Sequence, residues 1–201
     1  MARLQLSKSS LSREQKNLAT YQKFLPSLDL KRQQLMAERA KAERSLAAIH
    51  EQIEALKRDV GEKLRMLSNE DVDLTDLARL TSVRFGSENL VGTRLPTLEA
   101  IEVEVRPYAL LGKPHWVDTL AAVLHDMLEL RIRVQIEERR VALIAAAVKT
   151  ITQRVNLFDK VLIPNTRKNI KKIKIFLADA EKAAVVRSKI SKRKHAAEAQ
   201  A

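Results

Sequence analysis

The residue types that most often do chemistry are sparse in this sequence and lie far apart. The four histidines, His50, His115, His125 and His195, include no pair at the helical spacing that places two metal ligands on one face. The chain has no cysteine, which excludes disulfides and thiolate chemistry. We therefore expect no metal site, no cofactor and no catalytic residues, and we interpret the chain as a non-enzyme.

A segment with spaced glycines is the one candidate for a phosphate-binding loop. The residues GSENLVG, from Gly86 to Gly92, lack the lysine that the GxxxxGK[ST] pattern places directly after its last glycine. Without that lysine the segment does not match the phosphate-binding pattern. A turn is the better interpretation.

Lysine and arginine are the remaining functional side chains, and they concentrate at the two ends of the chain. The formal net charge is +12. Residues 1–32 hold seven basic and two acidic side chains, residues 167–201 hold eleven and three, and residues 69–116 hold five and eight. The basic segment 186–195 suits nucleic acid or an anionic membrane surface. It lacks interleaved aromatic residues, so a solvated or partner-facing helix end is favoured.

Two long segments show the seven-residue apolar repeat of a coiled coil. The first heptad register runs from Leu11 to Leu67 and the second from Leu120 to Leu162, and most a and d positions are apolar. An ordinary amphipathic helix would drift out of this register. After Pro164 the register slips by one residue, so we predict a kink at this proline. The apolar seam then resumes as Ile170, Ile173, Leu177, Ala180 and Ala184.

The segment between the two repeats has a different composition. Residues 80–114 hold three of the four glycines and three of the five prolines, and IEVEV at 101–105 alternates as a half-buried strand does. We predict an all-α dominated fold, a long antiparallel two-helix coiled coil with a small central β-hairpin or short-helix cap. The parts of this one elongated domain are 1–68, 69–115 and 116–201, with helices over about 8–68 and 116–192.

Antiparallel pairing brings both basic ends together and sets the two helical prolines at nearly the same level. In the predicted register Pro26 faces a residue near Phe158, within about two turns of Pro164. We expect a shared bend in the two helices there. No signal-peptide pattern is present, and the longest apolar run, residues 141–148, is too short to span a bilayer.

Three motifs in the order of one known family resemble the D subunit of the V/A-type ATPases. These are the N-terminal helix at 7–38 with LKRQQL at 30–35, NLVGTRLP at 89–96, and QRVNL followed by IP at Gln153 to Pro164. The resemblance implies a central rotor shaft whose coiled coil, with both termini at its tip, enters a hexamer of catalytic A and B subunits. It implies partners in the F subunit and in the stalk subunit that leads to the membrane ring.

The resemblance also implies where this chain makes contact and where it resides. We expect hexamer contacts from a basic set near the tip, and a coupling role for the motif residues Gln153, Arg154, Asn156, Pro164 and Pro26. The complex would lie on the cytoplasmic side of the membrane, with coupling ion and direction set by other subunits. The alternative is a basic coiled-coil protein that binds nucleic acid or an anionic membrane. The basic set comprises Arg13, Lys16, Lys23, Arg167, Lys168, Lys171, Lys172 and Lys174.

Overall fold

The computed structural model of the chain describes residues 4–65, 74, 76–107 and 114–198, with side chains to residue 195. Its elements are helix α1 (Lys8–Lys63), strands β1 (Ala78–Leu90) and β2 (Thr93–Val105), helix α2 (Trp116–Asn156), a π-helical turn (Leu157–Leu162) and helix α3 (Ile163–Glu198). The prediction of a mostly helical fold with a central hairpin is confirmed. The predicted short helix of the cap would fall on residues outside the described ranges.

The heptad register of α1 matches the side that the helix buries. Leu35, Ala42 and Ile53, all at predicted a or d positions, are buried, and the residues between them are mostly exposed. At the N-terminus the Ser7 hydroxyl accepts a hydrogen bond from the Ser10 backbone N–H at 3.2 Å, which satisfies one of the helix's unpaired donors. Pro26 lies inside α1, which continues through it.

The chain divides into two compact units, residues 31–150 and residues 1–30 with 151–201. In the first, here called the hairpin unit, a core forms where Leu64, Leu77, Trp116 and Val117 pack together. A second core packs Ala42 of α1 and Ile144 of α2 on the hairpin. Leu64, after the end of α1, packs with Trp116 at the start of α2, whereas Ala42, earlier in the chain, packs with Ile144 late in α2. The two helices of this unit are therefore antiparallel, as predicted.

The hairpin folds back along the two helices of its unit. Strands β1 and β2 pair antiparallel from Ala78↔Val105 to Leu90↔Thr93. Leu95 is 1% exposed and packs with Ala42 and Ile144. The Arg140 guanidinium donates to the Pro96 carbonyl and to Glu88, each at 3.4 Å, which ties both strands to α2. The sequence predicted the hairpin but carried no sign of this packing.

The second unit, here called the terminal unit, also pairs its helices antiparallel. Lys8 Nζ lies 3.9 Å from a Glu181 carboxylate oxygen, and the Tyr21 ring meets the Phe158 ring edge-on with centroids 5.5 Å apart. Residues early in the chain therefore meet residues late in the chain. The end of α2 and the helix α3 bury one seam in this unit. Its residues are Ile151, Val155, Ile163, Thr166 and Ile173.

The one-residue slip of the seam lies before Pro164, so the prediction of a slip after it is wrong. Ile163 rather than Leu162 is the buried residue. The intervening turn is π-helical: the Ile163 N–H donates to the Phe158 carbonyl, five residues back, instead of four. A π-helical turn holds one more residue than an α-helical turn and absorbs the slip. It also widens the helix where Pro164 would clash with the preceding turn.

We predict that one residue can be removed from the π turn but not from the α-helix beside it. Deleting exposed Lys160 together with Pro164→Ala leaves Val155, Phe158, Ile163 and Thr166 at the spacings of three and four that keep a continuous seam. The free energy of unfolding in urea should equal or exceed that of the wild type.

The matched control deletes exposed Lys149, which lies in regular α-helix. That change rotates Ile151 and Val155 out of the seam and should cost about 2–5 kcal/mol, as for other lost core side chains. Equal losses of stability in the two deletion variants would show that the π turn does not hold the extra residue.

Candidate protein interface

The eight residues of the basic set all lie in the terminal unit, and all are exposed. Arg13, Lys16 and Lys23 project from α1, and the other five project from the first turns of α3. The described part of the chain offers none of these eight an ion-pair partner. The terminal unit therefore presents positive charge that its own acidic residues leave uncompensated.

The same unit exposes apolar side chains that its seam does not use. Phe24 on α1 and Ile175 and Phe176 on α3 are each about half exposed. Side chains of this size outside the seam are accessible for contact with another molecule. The other exposed large apolar residues of this unit are Leu6, Leu30, Leu157, Val161, Val185, Val186 and Ile190.

The seam of α3 ends earlier than predicted. Leu177 is half-buried, whereas Ala180 and Ala184, which the repeat places in the seam, are exposed. Every residue from 178 to 195 is exposed. Alanine at these positions fits the heptad pattern by type, yet within the unit no described residue covers it. This last part of α3 is a single helix without a seam partner, and it is basic.

The motif residues lie beside the seam on its solvent side. Gln153, Arg154 and Asn156 are exposed, while their neighbours Ile151 and Val155 are buried. The two prolines differ, since Pro164 is half-buried and Pro26 is exposed. All five motif residues belong to the terminal unit, as the basic set does. The structure thus collects every predicted site residue in one of the two units.

The described part of the chain holds no group of three or more His, Cys, Asp or Glu side chains able to bind a metal ion. The Lys57 ammonium, which donates to Glu54 at 2.7 Å, lowers the pKa of that exposed carboxyl. A lowered pKa keeps the carboxylate ionised, which is the opposite of what a general acid requires.

The hairpin unit carries an open groove between α1 and α2 of about 550 Å³. Leu56 and Leu130 contribute apolar walls, and the charged lining residues are Asp59, Asp126, Glu129 and Arg133, of which Arg133 pairs with Glu129. The groove is a second surface on which a partner could pack.

One helical stretch reaches the hydropathy of a membrane span. Between Trp116 and His195 an 18-residue window has a mean hydropathy of 1.2, and 17% of that window is buried. The test considers only the length and composition of the helix, and core helices of soluble proteins pass it as well. In this stretch Ile144 packs on Ala42 and Leu95, as a core residue does.

Comparison with known proteins places the chain among ATP synthase subunits. The family described as the ATP synthase D subunit matches residues 10–193. The V-type ATP synthase D subunit of Borreliella burgdorferi is 33% identical over 192 residues, covering 96% of this chain and 95% of that protein. The protein of the same name from Chlamydia muridarum is 31% identical over 196 residues and 96% of both chains, and that from Chlamydia felis is 30% identical over 96% and 94%.

We predict that the exposed apolar residues of α3 contribute little to folding. Ile173 is 0% exposed and Phe176 is 47% exposed on the same helix. Ile173→Ala should lower the free energy of unfolding by about 2–5 kcal/mol, and Phe176→Ala should change it by no more than about 0.5 kcal/mol. Urea titration followed by circular dichroism measures both. A large loss from Phe176→Ala would mean that this side chain packs within the fold and is not reserved for a partner.

Proposed function

The chain belongs to the ATP synthase D-subunit family, and we propose that it is the rotor shaft in the central stalk of a V/A-type ATPase or ATP synthase. Membership of the family makes it one subunit of a membrane-associated complex, with the other subunits as partners. The shaft would couple ATP hydrolysis or synthesis in the A/B hexamer to rotation of the membrane ring and to H⁺ or Na⁺ transport. The chain itself would be non-catalytic.

The observation that best supports this proposal is the surface of the terminal unit. Its basic set is exposed and has no ion-pair partner in the described chain, and apolar side chains such as Phe24 and Phe176 lie exposed on the same helices. Long-range attraction to an acidic cavity orients a shaft without locking it. Apolar side chains add contacts that do not require one fixed rotation angle of the shaft.

The hairpin unit offers the surfaces that the remaining stalk subunits need. The groove beside Leu56 and Leu130 and the exposed ring of Phe85 on the hairpin lie away from the basic set in sequence and belong to the other unit. We assign the F subunit and the subunit that leads to the membrane ring to this unit. The chain would reside on the cytoplasmic side, peripheral to the membrane.

The two prolines would shape the shaft. An eccentric or bent axle presents a different side to each of three catalytic interfaces in turn, which biases each site toward opening or closing as the axle rotates. Proline removes a helical hydrogen bond and bends a helix. Pro26 and Pro164 belong to one unit whose helices meet at Tyr21 and Phe158.

We predict that the basic set controls assembly with the A/B hexamer. Replacing Arg167, Lys168, Lys171, Lys172 and Lys174 with glutamine should weaken binding to the reconstituted hexamer about tenfold or more at low salt. The loss should shrink as salt is added, because screening removes the attraction in the wild type too. Surface-immobilised hexamer gives both the affinity and the association rate.

The control removes the same charge from the hairpin unit. Its exposed basic residues include Lys41, Arg58, Arg131, Arg139 and Lys149. The corresponding glutamine variant should bind the hexamer within about twofold of the wild type. Equal losses of affinity in both variants would show that total charge, and not the position of the basic set, determines binding. A wild-type chain that fails to bind the hexamer but binds DNA or anionic vesicles, with steep salt dependence, would replace the shaft with a polyanion-binding coiled coil.

We predict that the prolines act on coupling more than on assembly. The double variant Pro26→Ala, Pro164→Ala should still join the complex, and it should transport fewer ions per ATP hydrolysed, by about half. The reason is that a straighter axle distinguishes the three catalytic interfaces less well. Ion transport and ATP hydrolysis in reconstituted vesicles give the ratio, and an unchanged ratio would remove the bend from the mechanism.

A further inference from the structure

The π turn leaves backbone acceptors open on the surface of the terminal unit. In an α-helix the Asp159 carbonyl would accept from the Ile163 N–H, but that N–H donates to Phe158. The next donor along the chain would be residue 164, and proline has no N–H. The Lys160 carbonyl loses its α-helical donor for the same reason. Two adjacent carbonyls on an exposed part of the helix are therefore without their α-helical donors, and for the Asp159 carbonyl the π-helical donor is missing as well.

A carboxylate lies beside these carbonyls. Asp159 is exposed, and the described chain gives it no ion-pair partner. It is the one acidic residue between positions 151 and 178, a stretch with seven basic residues. The basic residues of this stretch would repel a cationic group of a partner, so Asp159 and its open carbonyls are the place where such a group would be attracted.

The turn is held in place from the inside and flanked by apolar side chains on the outside. The Phe158 ring packs edge-on against Tyr21, which fixes the residue directly before Asp159. Leu157 and Val161 are 46% and 44% exposed on either side of Asp159 in the chain. A guanidinium group suits such a site, because its planar face covers apolar atoms while its N–H groups donate to a carboxylate and a carbonyl together.

We propose that the π turn, through Asp159 and the open carbonyls of Asp159 and Lys160, binds an arginine side chain of the partner that receives the terminal unit. This inference rests on the proposed function, in which that partner is an A or B subunit of the hexamer. It gives Pro164 a second role, since the missing N–H keeps an acceptor open. It also places one negatively charged contact, Asp159, within a surface that is otherwise basic.

The test uses the sign of a charge effect. If the terminal unit only sensed the average field of an acidic cavity, Asp159→Asn would remove a repulsive charge and bind as tightly as the wild type or more tightly. If Asp159 accepts from an arginine, Asp159→Asn should weaken hexamer binding about tenfold, as expected for losing a charged hydrogen bond at an interface. Asp159→Glu keeps the charge and should recover most of the affinity.

The matched control is Asp179→Asn, which neutralises another exposed acid of α3. It should bind within about twofold of the wild type or more tightly. The measurement is the affinity of the full-length chain for the assembled A/B hexamer, with circular dichroism of each variant confirming an unchanged helix content. Wild-type binding combined with no loss from Asp159→Asn would overturn the arginine site and leave the shaft proposal standing. A wild type that does not bind the hexamer would overturn both.

Discussion

Burial of an apolar seam along antiparallel helices is the constraint on which the rest of this structure depends. The chain has seven aromatic residues and four glycines, a composition that favours long paired helices over one large globular core. Leu35, Ile144 and Ile173 are nearly or fully buried along the helices, and Ile144 packs with Ala42 and Leu95. Exposed side chains outside the seam and the hairpin cores contribute little to folding.

The seam also explains why a π turn lies beside Pro164. A proline inside a paired helix must be accommodated without turning the apolar side chains away from the partner helix. One extra residue between Val155 and Ile163 widens the helix at the proline and returns Ile163, Thr166 and Ile173 to the buried side. The slip in the heptad pattern and the proline are thus one feature of the chain.

Sequence reasoning was strongest where a period repeats over many residues. The heptads located the two long helical segments, because each additional turn repeats the same burial requirement. The small segment that joins them predicted their antiparallel pairing. Sequence reasoning was weaker where the packing of a single side chain determines the structure. The packing of Leu95 on Ala42 and Ile144 has no local signal, since an apolar residue in a strand fits either face of a hairpin. Ala180 and Ala184 fitted the seam by type, yet alanine is also common on exposed helices.

The same contrast between repeating patterns and single side chains holds for the predicted site residues. Their exposure followed from their position between seam residues, so Arg154 and Lys171 could be placed on the surface from the heptad register alone. Asp159 could not be singled out, because its open carbonyl neighbours exist only through the hydrogen bond from Ile163 to Phe158.

Uncompensated positive charge in the terminal unit opposes its own folding through repulsion and favours any acidic partner that relieves it. A partner that binds only the folded chain adds its binding free energy to the stability that the seam provides. The hairpin unit already packs Leu95 and Trp116 in cores of its own. The terminal unit should therefore gain more stability from assembly than the hairpin unit does.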